Sequence, residues 1–320
     1  LNGHPLSEEF SVIDAEVLMH FLLAEENTLE IADINRILEY DNATIDAVKK
    51  RREQSIKNIR EKLALYSNIH AENVFISSQH PQDRRIKRLK LNPKICHLLF
   101  SNAYRNVATS GYLKKVYEDY GYCNVIYIPN ALEMEYYNYK SRVNFFPKII
   151  WVRAFASIYN PKMAIKVMAR IKDKYPAAEL TMVGPDKDGS LKITKEYAIQ
   201  LGVDVDFKGK LTRDQWLDLA SNFDFFINTT HFDNTPVSVM EAMAIGLPII
   251  STNVGGIPYM LTHNHDAILV NDDNDEQMAA AILNLLSDNY KASMLASHAR
   301  QMIEQKDWEK VKLKWISILK

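Results

Sequence analysis

The sequence predicts an α/β protein: a C-terminal doubly wound parallel sheet domain, preceded by a short N-terminal domain that is mostly helical or reduced. Three observations carry this. From Lys148 onward, short apolar runs alternate with helical stretches of ten or more residues. Residues 1–66 instead carry helical patterning with no strand between the segments. Between these regions, Glu133–Arg142 is polar and rich in tyrosine, and reads as a linker.

Taken in order, Ser7-Glu8-Glu9 reads as a helix start before Phe10–Leu23, and Thr28 as the cap of a second helix through Ile31, Ile34, Ile37 and Leu38. A third helix places Ile45, Val48, Ile56, Ile59, Leu63 and Tyr66 on one face, with Arg52 as its polar interruption. Asn73–Ser78 is an expected strand ended by His80-Pro81, and a basic helix or loop follows to about Lys94. Cys96–Leu99 continues as helix, and Asn106–Thr109 is a strand. Ser110 caps a helix that ends at Gly121, and Asn124–Ile128 is a strand stopped by Pro129-Asn130.

The later strands are expected at Ile149–Arg153, Glu179–Val183, Val205–Phe207, Phe223–Ile227, Pro248–Ser251 and Ala267–Val270. Helices are expected at about 161–174, 191–201, 213–221, 236–245 and 275–287, and a helical tail over about 290–319 carries Trp308 and Trp315. Short apolar strands alternating with long helices give a parallel sheet covered on both faces, with right-handed crossovers. Ligands of such sheets bind outside the C-terminal strand ends. Arg153, Gly184, Gly209 and the loop Asn228–Asp233 all lie at such ends.

The 320 residues suggest about two domains, and 47% apolar with 25% charged residues suits a globular chain with a real core. The net charge of −1 gives no overall pull toward nucleic acid. Cys96 and Cys123 make no disulfide framework, and a reducing, cytoplasmic compartment is expected. No apolar run approaches the ~20 residues that span a bilayer, and no signal-peptide pattern is visible from Leu1 onward. Charge is divided within the N-terminal part, with net −10 over residues 1–48 and net +9 over residues 49–94. The basic segment reads as a solvated face complementing the acidic one, or as a surface for peripheral contact with anionic membrane. It lacks the interleaved aromatics of a nucleic-acid stacking platform.

The most informative stretch is Asn228–Tyr259. Asn234 or Thr235 can cap the helix that follows, and Pro236 suits its first position. The amides of Val237, Ser238 and Val239 then point out of the helix start and form an anion site at its positive end. Asp233 and Glu241 flank that site with carboxylates. A sugar nucleotide offers a diphosphate to the amides and hydroxyls to the carboxylates.

Within this stretch, DNTPVSVMEAMAIGLPIISTNVGGIP resembles the family-four retaining glycosyltransferases of the GT-B fold, and the resemblance extends roughly from Asn92 to the C-terminus. That family carries E-x7-E followed by EAMA-x-G-x-P. Asp233 and Glu241 match its spacing, with Asp in place of the first Glu. The segments TSGYLKKVYEDYGYCNVIYIPN, WVRAF, LTMVG, DFKGKL and WEKVKLKWISI resemble, in turn, the family's entry to the linker, its strand-end segment, its second strand, its base-binding turn and its terminal helix. The implied layout is an acceptor-side domain over 1–132, a linker over 133–147, a nucleotide-sugar domain over 148–305, and a helix over 306–320 that crosses back to the first domain.

The resemblance also implies roles. Arg153 would pair with the donor diphosphate, where a planar guanidinium suits the geometry. Gly184 belongs to the same strand-end donor site. The backbone at Lys210 and Leu211 would hold the base, Glu241 the ribose hydroxyls, and Asp233 would face the transferred sugar. Asn234, Thr235, Pro236, Val237 and Ser238 would bind phosphate. Two departures stand out. The family's lysine five or six residues after the arginine is replaced by Ile158 and Tyr159, leaving Lys162 as the substitute. The first domain lacks a glycine-rich loop; His80, otherwise a turn residue, completes the candidate list.

The expectation is therefore a retaining glycosyltransferase that moves a sugar from a UDP- or GDP-linked donor to a hydroxyl of a glycan or lipid-linked acceptor, in cell-envelope or polysaccharide biosynthesis. No metal is expected, and no cofactor beyond the donor substrate. The alternatives are a nucleotide-sugar-binding module or partner subunit without turnover, and a GT-B sugar-nucleotide epimerase.

Overall fold

The computed structural model describes residues 10–24, 27–39, 44–67, 69–79 and 87–319. The chain divides into two compact units, Leu1–Asn106 with Tyr122–Asn124, and Val107–Gly121 with Val125–Lys320. The second unit includes the stretch 133–147.

In the first unit, helices α1 (Val12–Leu23), α2 (Ile31–Leu38) and α3 (Ile45–Tyr66) enclose a core with a small sheet and α4 (Pro93–Asn102). The sheet consists of β1 (Thr28–Glu30), β2 (Phe75–Gln79) and β3 (Lys87–Leu91), with β3 in the middle and antiparallel to both neighbours. This corrects the expectation of a helix or loop before Lys94. Leu89 and Leu91 alternate with charged residues, so one face of β3 is buried while its lysines mask the period of two. Thr28 lies in β1 and does not cap α2, which follows Glu30 directly. The cap of α1 is Ser11, whose Oγ accepts the Asp14 amide at 3.1 Å; Ser7 lies outside the described residues. In α3, Val48, Ile56, Ile59 and Leu63 are buried as expected, but Ile45 is 89% exposed at the first helical position. Arg52 is satisfied by Asn35 Oδ1, to which its Nη1 donates at 2.7 Å.

The boundary between the units falls within β4 (Asn106–Ala108), after which come α5 (Gly111–Asp119) and β5 (Val125–Tyr127), β4 pairing with β5. Ser110 caps α5 as predicted, its Oγ accepting from the Leu113 amide. The main sheet follows: β6 (Lys148–Val152), β7 (Glu179–Val183), β8 (Asp206–Gly209), β9 (Phe225–Asn228), β10 (Ile249–Thr252) and β11 (Ile268–Val270). These strands alternate with α6 (Pro161–Lys172), α7 (Ser190–Gln200), α8 (Arg213–Ala220) and α9 (Val237–Ala244), and α10 (Asp275–Ser287), α11 (Asn289–Glu304) and α12 (Trp308–Leu319) close the chain. The sheet is six-stranded and parallel, in the order β11-β10-β9-β6-β7-β8.

Successive residues of a strand feed opposite faces, so the sheet has two cores. Ile149 and Trp151 join Met182, Phe225 and residues of α6 and α10 on one face. Ile150 and Val152 join Phe226, Ile249 and residues of α9 and α11 on the other. This is the doubly wound arrangement expected from the uninterrupted apolar runs. No helix among the described residues is long and apolar enough to cross a membrane.

Candidate functional site

The order of the sheet fixes where a ligand can approach. β6 and β9 are neighbours, yet the chain leaves β6 toward β7 and β8 and leaves β9 toward β10 and β11. The loops therefore diverge at the C-terminal ends of β6 and β9 and leave a crevice, the switch point where open α/β sheets bind ligands.

A pocket of about 260 Å³ opens there, lined by Val152, Arg153, Ala154, Val183, Gly184, Pro185, Lys210, Leu211, Trp216 and Ser238. Five of the expected site residues (Arg153, Gly184, Lys210, Leu211 and Ser238) thus meet in one cavity although the sequence spreads them over three strand ends and one helix start. Gly184 is required by close approach. Its φ is +151°, and a Cβ there would lie 1.8 Å from the Arg153 carbonyl oxygen.

Arg153 leaves β6 at the crevice and forms an ion pair with Asp233. Its guanidinium carbon lies 4.3 Å from the centroid of the Tyr159 ring. Its Nε is buried with no hydrogen-bond partner among the described residues. Burial lowers its pKa from the ordinary arginine value, and Tyr159 opposes that shift. A partly buried cation with a spare donor and a carboxylate partner is suited to a second anion.

The loop carrying Asp233 is held from below by buried hydroxyls. Trp151 Nε1 donates to Thr229 Oγ1 at 2.9 Å, and Thr229 Oγ1 donates to the Tyr159 carbonyl at 2.8 Å. Thr252 Oγ1 donates to the Thr230 carbonyl at 2.6 Å, and the His231 amide donates to the Ile158 carbonyl at 2.8 Å. The network fixes the Asp233 loop against the turn that carries Tyr159. Gly256 completes the cradle: its amide donates to the Asp233 carbonyl at 2.7 Å, and a Cβ there would lie 1.9 Å from the Asn234 carbonyl oxygen.

At the start of α9 the structure corrects the expected capping. Pro236 is the N-cap residue, and the helix begins at Val237. Asn234 does not cap it: its Nδ2 donates to Thr109 Oγ1 at 3.0 Å, and its Oδ1 accepts from Ser110 Oγ. Thr235 Oγ1 reaches the Thr109 carbonyl. Proline brings no side-chain acceptor, so the first amides stay free of a side-chain cap. The Val239 amide is not one of them, since it donates to the Pro236 carbonyl at 3.2 Å. The Val237 and Ser238 amides make no bond to the described residues, and Ser238 Oγ is buried without a partner. The helix start thus presents two amides and one hydroxyl beside the pocket.

Glu241 stands one turn further along α9 and does not line the pocket. It is 8% exposed, and its Oε1 accepts from the Tyr137 hydroxyl at 2.9 Å. Burial raises its carboxyl pKa, while Tyr137, Arg213 and Trp216 act to lower it. Tyr137 is itself shifted upward, first by burial and then by the neighbouring carboxylate.

Lys162 lies elsewhere. It sits in the first turn of α6 with its Nζ 5.5 Å from the centroid of the Tyr197 ring, and it does not line the pocket. His80 lies outside the described residues. Among those residues no cluster of His, Cys, Asp and Glu could hold a metal ion. Tyr137 and Trp216 were not singled out from sequence, and Tyr159 only as a departure from the resembling family. Tyr159 had a signal, because it occupies a position where the resembling family carries a lysine. Tyr137 lies in the stretch read as linker, and only the fold brings it to Glu241.

Comparison with known proteins adds to this geometry. Residues 141–302 match the family described as Glycosyl transferases group 1. Over 148 residues the chain is 26% identical to the sulfoquinovosyl transferase SQD2 of Arabidopsis thaliana, covering 45% of this chain and 28% of that protein. Over 168 residues it is 26% identical to the D-inositol 3-phosphate glycosyltransferase of Rhodococcus opacus, covering 50% of this chain and 38% of that one. The matched stretch therefore spans well under half the length of these curated relatives. Among solved structures, Anabaena Alr3699/HepE in complex with UDP and glucose superposes with a TM-score of 0.63 at 18% identity, covering 71% of this chain and 66% of that one. At that identity the likeness shows the fold, which is the GT-B type.

Proposed function

The chain belongs to the Glycosyl transferases group 1 family, and from that premise we propose that it is a retaining glycosyltransferase using a nucleotide-sugar donor. The observation that carries this reading is the pocket at the switch point. It joins a partly buried arginine with a spare donor to a helix start with free amides and an unpartnered serine hydroxyl. That donor set fits a diphosphate. Solved relatives of the same fold hold UDP and UDP-glucose, which favours a uridine nucleotide for this chain too.

In this reading Arg153 and the amides of Val237 and Ser238 hold the diphosphate, and the backbone at Lys210 and Leu211 holds the base. As the glycosidic bond to the sugar breaks, negative charge gathers on the departing diphosphate. Fixed donors in a partly buried site stabilise that charge more than water does. Asp233 pairs with Arg153 before the donor arrives, then faces the sugar once phosphate oxygens take over the guanidinium. Glu241 reads the ribose. The acceptor is a hydroxyl of a glycan or a lipid-linked saccharide, and the basic segment of the first unit supplies weak attachment to anionic membrane. The direct test incubates the protein with UDP- and GDP-sugars and hydroxyl acceptors and follows the product by NMR. An α-linked donor is expected to give an α-linked product, and a β-linked product would overturn the retaining assignment.

One observation favours a second reading, a donor-binding module without turnover. Lys162, the expected substitute for the lysine of the resembling family, lies over the Tyr197 ring and does not line this pocket. Tight donor binding with neither hydrolysis nor transfer would select this reading.

A further inference from the structure

The stretch from Leu132 to Tyr137 is fastened to the end of the second unit and to α9. The Leu132 amide donates to the Lys306 carbonyl at 3.1 Å, and the Trp308 amide donates to the Leu132 carbonyl at 2.8 Å. Five residues on, Arg300 Nη1 donates to the Tyr137 carbonyl at 2.9 Å and to the Ala244 carbonyl at 2.5 Å. Ala244 is the last residue of α9, the helix that carries Glu241. One guanidinium therefore ties the Tyr137 backbone to the helix its own side chain serves. The Tyr137 ring is buried at 4% exposure, and its hydroxyl ends on Glu241 Oε1 at 2.9 Å. On the outer side, the Arg213 guanidinium carbon lies 5.0 Å from the Tyr136 ring centroid and 6.0 Å from that of Tyr137.

A buried carboxylate with one oxygen engaged is restricted in two ways. It cannot rotate freely about its terminal torsion, and a ligand hydroxyl has to share it with Tyr137 and with the Trp216 side chain that also lowers its pKa. We infer that Tyr137 is a positioning residue for donor recognition: by holding Glu241 Oε1 it aims the carboxylate at one ribose hydroxyl and sets the preference for ribose over deoxyribose. This rests on the donor reading above, in which Glu241 meets the ribose. The physical content is pre-organisation. The ordering of the carboxylate is settled in the fold, so less is lost when the ligand binds. A phenylalanine at 137 would keep the ring and its packing and remove only the donor. The Glu241 carboxylate would then lose a charge-assisted bond and its fixed orientation.

The test compares wild type, Tyr137→Phe, Glu241→Gln and the double variant by calorimetry, using UDP, GDP and their 2′-deoxyribose counterparts as probes. Wild type is expected to prefer the ribose form of the nucleotide it binds. Tyr137→Phe is expected to weaken ribonucleotide binding about tenfold, within the range for a hydrogen bond to a charged group, and to leave the deoxy form nearly unchanged. In turnover the loss is expected in KM, with kcat within about twofold. In the Glu241→Gln background the same substitution should have a markedly smaller effect, because the charged partner is already gone. Equal loss for both sugar forms, or the same loss in both backgrounds, would mark Tyr137 as packing alone and overturn the inference. Unchanged discrimination in Tyr137→Phe would overturn it while leaving the donor reading intact. Absence of binding to every probe by wild type would overturn both.

Discussion

Asp233 and Arg153 face one another across the switch point of the parallel sheet and form an ion pair, with their side chains 13% and 15% exposed. One comes from the loop after β9, the other from the end of β6. In the proposed reading the carboxylate occupies the guanidinium face that a diphosphate oxygen takes in the donor complex. Asp233 thus competes with the donor for Arg153 and then acts on the sugar.

That dual role gives Asp233→Asn opposite effects on binding and turnover. Removing the competing charge is expected to tighten UDP or GDP binding several-fold, the scale of a partly exposed ion pair. Transfer is expected to fall by about 100-fold or more, the scale for losing a group that acts on transition-state charge. Calorimetry reads the first and initial rates read the second. A parallel fall in both would show that Asp233 supports the site without competing for it.

Gly184→Ala is expected to damage both fold and site. The positive φ disfavours any side chain, and the new Cβ would meet the Arg153 carbonyl oxygen. The end of β7 and the end of β6 have to separate. A destabilisation of about 3 kcal/mol in urea unfolding is expected, with loss of nucleotide binding, because Arg153 moves with its backbone. A variant as stable as wild type would contradict the close approach.

The buried carboxyl of Glu241 gives a pH dependence. Its pKa is raised in the fold, chiefly by burial, with the Tyr137 hydroxyl, Arg213 and Trp216 opposing. A raised value means that the folded chain takes up the proton more readily than the unfolded chain. The resulting stabilisation is complete below the unfolded value and is lost as pH rises through the folded one. At neutral pH the ionised carboxylate therefore costs stability, and Glu241→Gln is expected to resist urea better than wild type. The advantage should shrink as acid protonates the wild-type group. Nucleotide affinity of wild type should fall over the same acid range, since a protonated carboxyl accepts poorly from ribose. Urea titrations of both proteins between pH 4 and 8 check the sign.

Much of the second unit was legible from sequence because its strands are buried on both faces. Ile149–Val152 and Phe225–Ile227 read as unbroken apolar runs, and long helices separate them. The first unit was less legible for the opposite reason. In Lys87–Leu91 only Leu89 and Leu91 are buried, and the other three residues are Lys or Arg, so charge hid the strand. At the site, the spacing of Asp233 and Glu241 and the strand-end position of Arg153 were visible. Their couplings were not. The Tyr137–Glu241 bond joins residues 104 apart in the chain, and no local pattern announces it. Helix-start chemistry suggested Asn234 as the cap, but tertiary bonding to Thr109 and Ser110 takes its side chain instead. Packing decided that competition, and propensity alone cannot.

In the proposed function the switch-point pocket binds a nucleotide-sugar diphosphate through Arg153 and the start of α9. Calorimetric titration of UDP- and GDP-sugars into wild type and Arg153→Ala tests it most directly. Saturable binding of at least one such donor to wild type is expected, weakened about tenfold or more when the guanidinium is removed. Wild-type protein that binds no nucleotide sugar, or an Arg153→Ala variant that binds as tightly as wild type, would contradict it.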